Sequence, residues 1–171
     1  MNEKHVWPNC TDTRGIIIKP LNLKIYAEND KCYPHVGSEY AAGLDLRIVW
    51  DDRDTFKVLE PNIKYKFRTG IHVALPVGWC GIVAPRSGLG AKFEVTLCNT
   101  IGIIDSDYRG ELGIFVKLRG TEPLTIDKYE RICQMVVVPH WDPNLSIRVS
   151  SIEELGDTRR GAAGWGSSGV K

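Results

Sequence analysis

The stretch Leu112-Gly113-Ile114-Phe115-Val116-Lys117-Leu118 places an aliphatic residue at every second position. A strand sends successive side chains to opposite faces, so this period of two predicts a strand with one face in a core. Leu44, Leu46, Ile48 and Trp50 repeat the pattern around Asp45, Arg47 and Val49, and Ile71, Val73 and Leu75 repeat it around His72 and Ala74. Turn signals separate such runs at Glu60-Pro61-Asn62, Pro76-Val77-Gly78 and Arg119-Gly120-Thr121. One helical turn is predicted at residues 151–155, where Ser151 and Glu154 have capping-box spacing and Gly156 supplies a stop. Many short strands with one short helix predict an all-β domain, a jelly-roll-like β-sandwich or barrel.

The 171 residues suit one domain with extended arms: an N-terminal extension at 1–20, a β domain at 21–158 and a Gly/Ser-rich C-terminal arm at 159–171. Lysine and arginine number 22 against 21 aspartates and glutamates, so no global field draws nucleic acid or an anionic membrane. Any polyanion must be held by a local cluster. The N-terminus lacks the apolar run of a signal peptide and no stretch has transmembrane length, so the expected location is intracellular, soluble and cytoplasmic. Five cysteines, with no C-x-x-C pair, read as free thiols, and Cys80, Cys98 and Cys133 as small core hydrophobes. The four histidines have no zinc-ligand spacing.

The C-terminal run Arg159-Arg160-Gly161-Ala162-Ala163-Gly164-Trp165-Gly166-Ser167-Ser168-Gly169 cannot pack a core. Guanidinium forks match phosphate oxygens, Gly-rich backbone brings several N–H groups to one anion, and a Trp offers a face for a base or sugar. Together they describe a nucleoside triphosphate and an arm that closes over it. Gly164, Gly166 and Gly169 have G-x-G-x-x-G spacing, but a dinucleotide fingerprint needs a following helix and an acidic residue about 20 positions on, and the sequence ends at Lys171.

Four internal motifs carry further chemistry. Pro85-Arg86-Ser87-Gly88-Leu89-Gly90 follows an apolar strand and puts a guanidinium, a hydroxyl and free N–H groups at its end. Ser87 lies outside any G-x-S-x-G and reads as a phosphate ligand, not a nucleophile. In Asn99-Thr100-Ile101-Gly102-Ile103-Ile104-Asp105-Ser106-Asp107-Tyr108-Arg109-Gly110-Glu111, a hairpin-like passage, Asp107 reads as a turn-former. Two readings stand for Asp105: a turn-former, or a carboxylate that orients and deprotonates a water. Gln134, in Arg131-Ile132-Cys133-Gln134-Met135, either satisfies backbone or reaches a phosphate, and Asp45, in Ala41-Ala42-Gly43-Leu44-Asp45-Leu46-Arg47, raises the same question.

These four motifs and the tail stand in the order of the five motifs of trimeric dUTP pyrophosphatases, and over roughly residues 21–169 the chain resembles that family. The resemblance implies a homotrimer of jelly-roll subunits with three active sites, each built from all three chains. It implies hydrolysis of dUTP to dUMP and pyrophosphate by water attack on the α-phosphorus, which limits uracil in DNA and supplies dUMP. By the same resemblance Asp105 is the general base, and Tyr108 packs under deoxyribose and excludes a 2′-hydroxyl. Asn99, Gly102 and Ile104 belong to the uracil pocket. Arg86, Ser87, Gly88 and Gln134 are phosphate ligands. Arg160 clamps the γ-phosphate, Trp165 supplies a stacking face, and Gly166, Ser167, Ser168 and Gly169 form the phosphate-binding end of the arm. Mg2+ is the implied cofactor, held mainly by substrate phosphates, with Asp45 acting on it through water.

Three departures from the family pattern are visible: Trp165 stands where Phe is usual, Ala163 where Gly is usual, and Tyr129 where the chain commonly turns with Gly. The same fold also serves dCTP deaminases, but Ser87-Gly88-Leu89 with Asp105-Ser106-Asp107-Tyr108 favours the pyrophosphatase. A nonenzymatic β-sandwich interaction protein is the rival from another class, and intact Asp105, Tyr108 and Arg160 speak against it. A protein partner beyond the trimer has no residue pattern behind it.

Overall fold

A computed structural model describes residues 22–159 and Gly161. The chain divides into two compact units after His140. The first contains every strand among the described residues: β1 (Lys24–Ala27), β2 (His35–Val36), β3 (Gly43–Arg47), β4 (Phe56–Leu59), β5 (Lys64–Phe67), β6 (Ile71–Ala74), β7 (Trp79–Pro85), β8 (Val95–Leu97), β9 (Gly102–Ile104), β10 (Ile114–Leu118), β11 (Leu124–Asp127) and β12 (Arg131–Pro139), with one helix, α1 (Ser87–Phe93). Five strands form the largest sheet in the order β2-β3-β12-β7-β9; β5-β10-β8, β1-β6 and β11-β4 make the smaller ones. The paired strands run antiparallel. This is the mostly-β jelly-roll architecture that the alternation predicts.

The predicted faces hold in detail. Leu112, Ile114, Val116 and Leu118 are buried while Phe115 is exposed, and Ile71, Val73 and Leu75 are buried beside half-buried His72. Leu46, Ile48, Leu59, Ile126, Ile132 and Met135 complete the centre of one continuous core. In β3 the alternation fails at Asp45, which is buried with Leu46 because both faces of this strand are covered.

Two local expectations are corrected. The helix is not at residues 151–155: there the chain makes only a 3-10 turn, Glu153–Leu155, and Ser150, not Ser151, donates its N–H to the Glu154 carboxylate (3.2 Å), so no reciprocal box forms. The α-helix occupies residues 87–93, which read as a strand-end loop. Gly88 and Gly90 each weaken a helix by about 1 kcal/mol and only Leu89 reaches the core, so no 3.6-residue periodicity announces it. Its stop is Glu94, left-handed at φ 57°, whose N–H returns to the Leu89 carbonyl.

The cysteines also divide differently from expectation. Cys133 is buried, its thiol pushed up to about 12 by that burial, and Cys32 is buried too, but Cys80 is half-buried and Cys98 exposed. Cys98 follows the last residue of β8, where a side chain that continues the alternation points outward. In the second unit, the described residues hold two 3-10 turns, Pro143–Leu145 and Glu153–Leu155, and Leu145, Ile147, Ile152 and Leu155 are exposed.

Gly70, between β5 and β6, is left-handed (φ 66°), and a Cβ there would sit 2.8 Å from the Cys32 sulfur. Gly70→Ala is expected to cost at least about 1 kcal/mol, read as a lower urea midpoint at unchanged slope. An unshifted midpoint would mean that the turn relaxes freely.

Candidate active site

Three motifs that are remote in sequence meet at one end of the large sheet. β12 pairs with β3 on one side and β7 on the other, in a register that sets Gln134 opposite both Asp45 and Ala84. Arg86 leaves β7 at this end. Its Nε lies 3.0 Å from Asp45 Oδ2, and one of its NH groups donates to the Arg131 carbonyl at 3.2 Å. Arg131 reaches the same Oδ2 at 3.2 Å. One carboxylate therefore faces two guanidinium groups, and the surplus positive charge favours an anion.

Gln134 donates from Nε2 to the Pro85 carbonyl (3.3 Å), the backbone alternative for this side chain. Its Oε1 lies where a Cβ on residue 43 would come within 2.9 Å, so Gly43 leaves it room. Ser87 and Gly88 are exposed at the start of α1, which no side chain caps.

A second group of predicted residues gathers at β9. Asn99, Gly102 and Ile104 line a pocket with Val83, Leu97 and Leu112. Its volume, about 120 Å³, exceeds the roughly 10–15 Å³ that one water needs and leaves space for a small ring. Asp105 follows β9 and is exposed, and its carbonyl accepts the Tyr108 N–H at 3.2 Å. Tyr108 folds back and donates its hydroxyl to the Glu111 carbonyl at 2.9 Å. The ring lies over Gly110, where a Cβ would approach the phenol oxygen to 2.3 Å. Arg109 braces the turn by donating to the Ser106 and Tyr108 carbonyls.

The two groups do not meet within one chain. Ile104 pairs with Gly81, so Asp105 falls at the level of Cys80, six residues before Arg86 and roughly 20 Å from it along β7. Arg160, Trp165, Gly166, Ser167 and Ser168 lie outside the described residues. Among the described residues no group of three or more His, Cys, Asp or Glu is arranged to hold a metal ion.

Sequence reasoning missed Glu111 and Arg68. Glu111 Oε1 accepts the N–H groups of Thr69 (3.1 Å) and Gly70 (2.6 Å), and Oε2 accepts Arg68 Nε (3.0 Å). Arg68 also pairs with Glu28 (2.7 Å) and with Asp51. Burial alone raises the Glu111 carboxyl, but the Gly70 N–H, the Arg68 guanidinium and the Thr69 N–H together hold it below the ordinary 4.5. Glu111 directly follows the Asp-Ser-Asp-Tyr-Arg-Gly run and could have been suspected on that account. Arg68 is 43 residues from Glu111, with no local signature to reveal it.

The dUTPase family model matches residues 29–169. The chain belongs to the dUTPase family. It is 40% identical over 151 residues to the deoxyuridine 5′-triphosphate nucleotidohydrolase of Escherichia phage T5, covering 87% of this chain and 99% of that protein. It is 39% identical to the enzyme of the same name from Bordetella avium, covering 89% and 99%. A structure of the Staphylococcus bacteriophage 80alpha dUTPase with dUPNHPP superposes with a TM-score of 0.73 at 29% identity, over 87% of this chain and 99% of that one. Against this dUTPase background Tyr129 is informative. It adopts φ 69°, the left-handed conformation that Gly accepts without cost, and its carbonyl takes a hydrogen bond from Arg47 at 2.9 Å.

Because the Glu111 carboxyl is lowered in the folded chain, its ionisation stabilises the fold fully above pH 4.5 and less as pH falls through the folded-state value. The unfolding free-energy gap between the native protein and Glu111→Gln is expected to be constant from pH 6 to 5 and to narrow below about 4.5. Urea titrations across that range measure it; a gap that widens on acidification would contradict the assignment.

Proposed function

We propose that this chain is a dUTP diphosphatase that hydrolyses dUTP to dUMP and pyrophosphate. The carrying observation is the juxtaposition at β9: a small, mostly apolar pocket has Asn99 and Ile104 on its wall, and the chain that leaves Ile104 carries exposed Asp105 and then the Tyr108 ring pinned over Gly110. A pyrimidine ring suits the pocket. Main-chain groups around Asn99, Gly102 and Ile104 read its polar edge, and a wrong base leaves buried polar groups unpaired there. Tyr108 lies under the sugar and leaves no space for a 2′-hydroxyl. Asp105, exposed to solvent, orients a water and takes its proton as the oxygen attacks the α-phosphorus.

Phosphate binding falls to the Arg86 end of the sheet, where two guanidinium groups share one carboxylate. Arg86, Ser87, Gly88 and Gln134 act on the triphosphate. Arg160, Trp165, Gly166, Ser167 and Ser168 close over it from the C-terminal arm and exclude water.

A water held by Asp105 must stand within a few bonds of the phosphates, and roughly 20 Å along β7 is too far. The Arg86 end that completes a given β9 pocket therefore comes from another copy. A homotrimer with shared sites supplies it.

Mg2+, when bound, would be chelated by the triphosphate oxygens and would offset their charge. Among the described residues no cage of carboxylates is arranged, and such an ion needs none, since Mg2+ keeps several waters and takes few protein oxygens. Both arginine pairs fall on Asp45 Oδ2, and Oδ1 is the oxygen left to act on the ion through water. No described helix is long and apolar enough to cross a membrane, and a cytoplasmic location accords with a nucleotide substrate.

Incubation with Mg2+ and each nucleoside triphosphate should release pyrophosphate efficiently from dUTP alone. Asp105→Asn should bind dUTP and lose turnover by about 10²–10⁴-fold, the usual contribution of a positioned base. Comparable release from UTP or dCTP, or normal turnover in Asp105→Asn, would overturn the reading.

A further inference from the structure

The segment from Asp105 to Leu112 is fastened to the β5–β6 connection by a set of bonds that the reaction itself does not use. Glu111 takes both the Thr69 and Gly70 N–H groups and the Arg68 guanidinium. The Thr69 hydroxyl, fully buried, donates to the Leu112 carbonyl at 2.8 Å, and the Leu112 N–H donates to the Ile71 carbonyl at 2.8 Å. His72 Nδ1 lies 2.8 Å from the Arg109 carbonyl, as donor to it. Opposite ends of Glu111 thus do two jobs. Its carboxylate is anchored in the β5–β6 turn, while its main-chain carbonyl holds the Tyr108 hydroxyl.

We infer that Glu111, braced by Arg68, is a positioning residue that sets the height of the Tyr108 ring and so governs discrimination between deoxyribo- and ribonucleotides. This rests on reading Tyr108 as the residue beneath the sugar. The anchor is rigid for stated reasons. Gly70 is confined by Cys32 and Glu28 on one side and bonded to Glu111 on the other. Arg68 is itself fixed by two further carboxylates, Glu28 and Asp51. Without the Glu111 carboxylate, Thr69 and Gly70 keep two unpaired N–H groups, and the carbonyl under the Tyr108 hydroxyl loses its tether. The ring can then drop, which opens space where a 2′-hydroxyl would stand.

The test compares the native protein with Glu111→Ala, Glu111→Gln, Arg68→Ala and Tyr108→Phe. Steady-state kcat and KM are measured for dUTP and for UTP, and amide hydrogen exchange is followed over residues 105–112. Glu111→Ala is expected to lower kcat/KM for dUTP by roughly 10–100-fold, the size of a small misplacement. UTP should lose less, so that the preference for dUTP narrows about tenfold or more. Glu111→Gln keeps an acceptor oxygen for the two N–H groups and should restore most of the preference. Arg68→Ala and Tyr108→Phe should shift it in the same direction as Glu111→Ala.

Exchange over residues 105–112 should rise in Glu111→Ala, a readout that needs no substrate and serves even if dUTP is not cleaved. A native protein inert on dUTP would defeat the assigned reaction, whereas unchanged exchange in folded Glu111→Ala would defeat the tether. Equal losses on dUTP and UTP, with the preference intact, would reduce Glu111 to a structural role and refute the inference. Should Glu111→Ala fail to fold, an unchanged preference in Tyr108→Phe and Arg68→Ala would do the same.

Discussion

Everything at the Arg86 end depends on the pairing of one strand. β12 is hydrogen-bonded on both edges, and its register with β3 and β7 decides which side chains become neighbours. A slip of one residue would turn Gln134 to the opposite face and bring Cys133 or Met135 in its place. The core guards against that slip, because Ile132, Cys133 and Met135 are buried. Asp45 then finds its two arginines as a consequence of hydrophobic registration. The irregularity between Arg131 and Cys133 lets Arg131 leave the ladder's regular alternation and approach the carboxylate.

The β9 end follows a different principle. Few of its bonds belong to a ladder; they are side-chain contacts to backbone, made by Glu111, Thr69, Tyr108, Arg109 and His72. Such contacts fix a loop at the cost of special residues. Gly70 and Gly110 admit no larger side chain without displacement of Cys32 or Tyr108. The sheet thus provides a rigid frame, and the loop carries chemistry at a position defined by polar bonds rather than by burial.

Much of this was legible beforehand, for physical reasons that can be named. Strands such as β6 and β10 announce themselves because one face is buried and the other is not, so composition alternates. Asn99, Gly102 and Ile104 sit in one short run, and their meeting at a pocket needs no long-range information. Helix α1 was hidden because Leu89 is its single buried anchor and two glycines dilute its propensity. Arg68 was hidden because its three carboxylates come from residues 28, 51 and 111, a convergence created only by the fold. For Gln134, local reading left backbone and ligand roles open; the amide here bonds the Pro85 carbonyl.

The uneven burial of the cysteines has a practical side. Cys32 and Cys133 are shut in the core with thiols raised by burial, whereas Cys98 is exposed and adjoins Asn99 on the pocket wall. An alkylating reagent or an oxidant therefore meets the Cys98 sulfur well before it reaches those of Cys32 and Cys133. Among the described cysteines Cys98 is the chemically vulnerable one, and its place beside Asn99 in the chain offers a handle for attaching a fluorophore that reports on the neighbouring pocket.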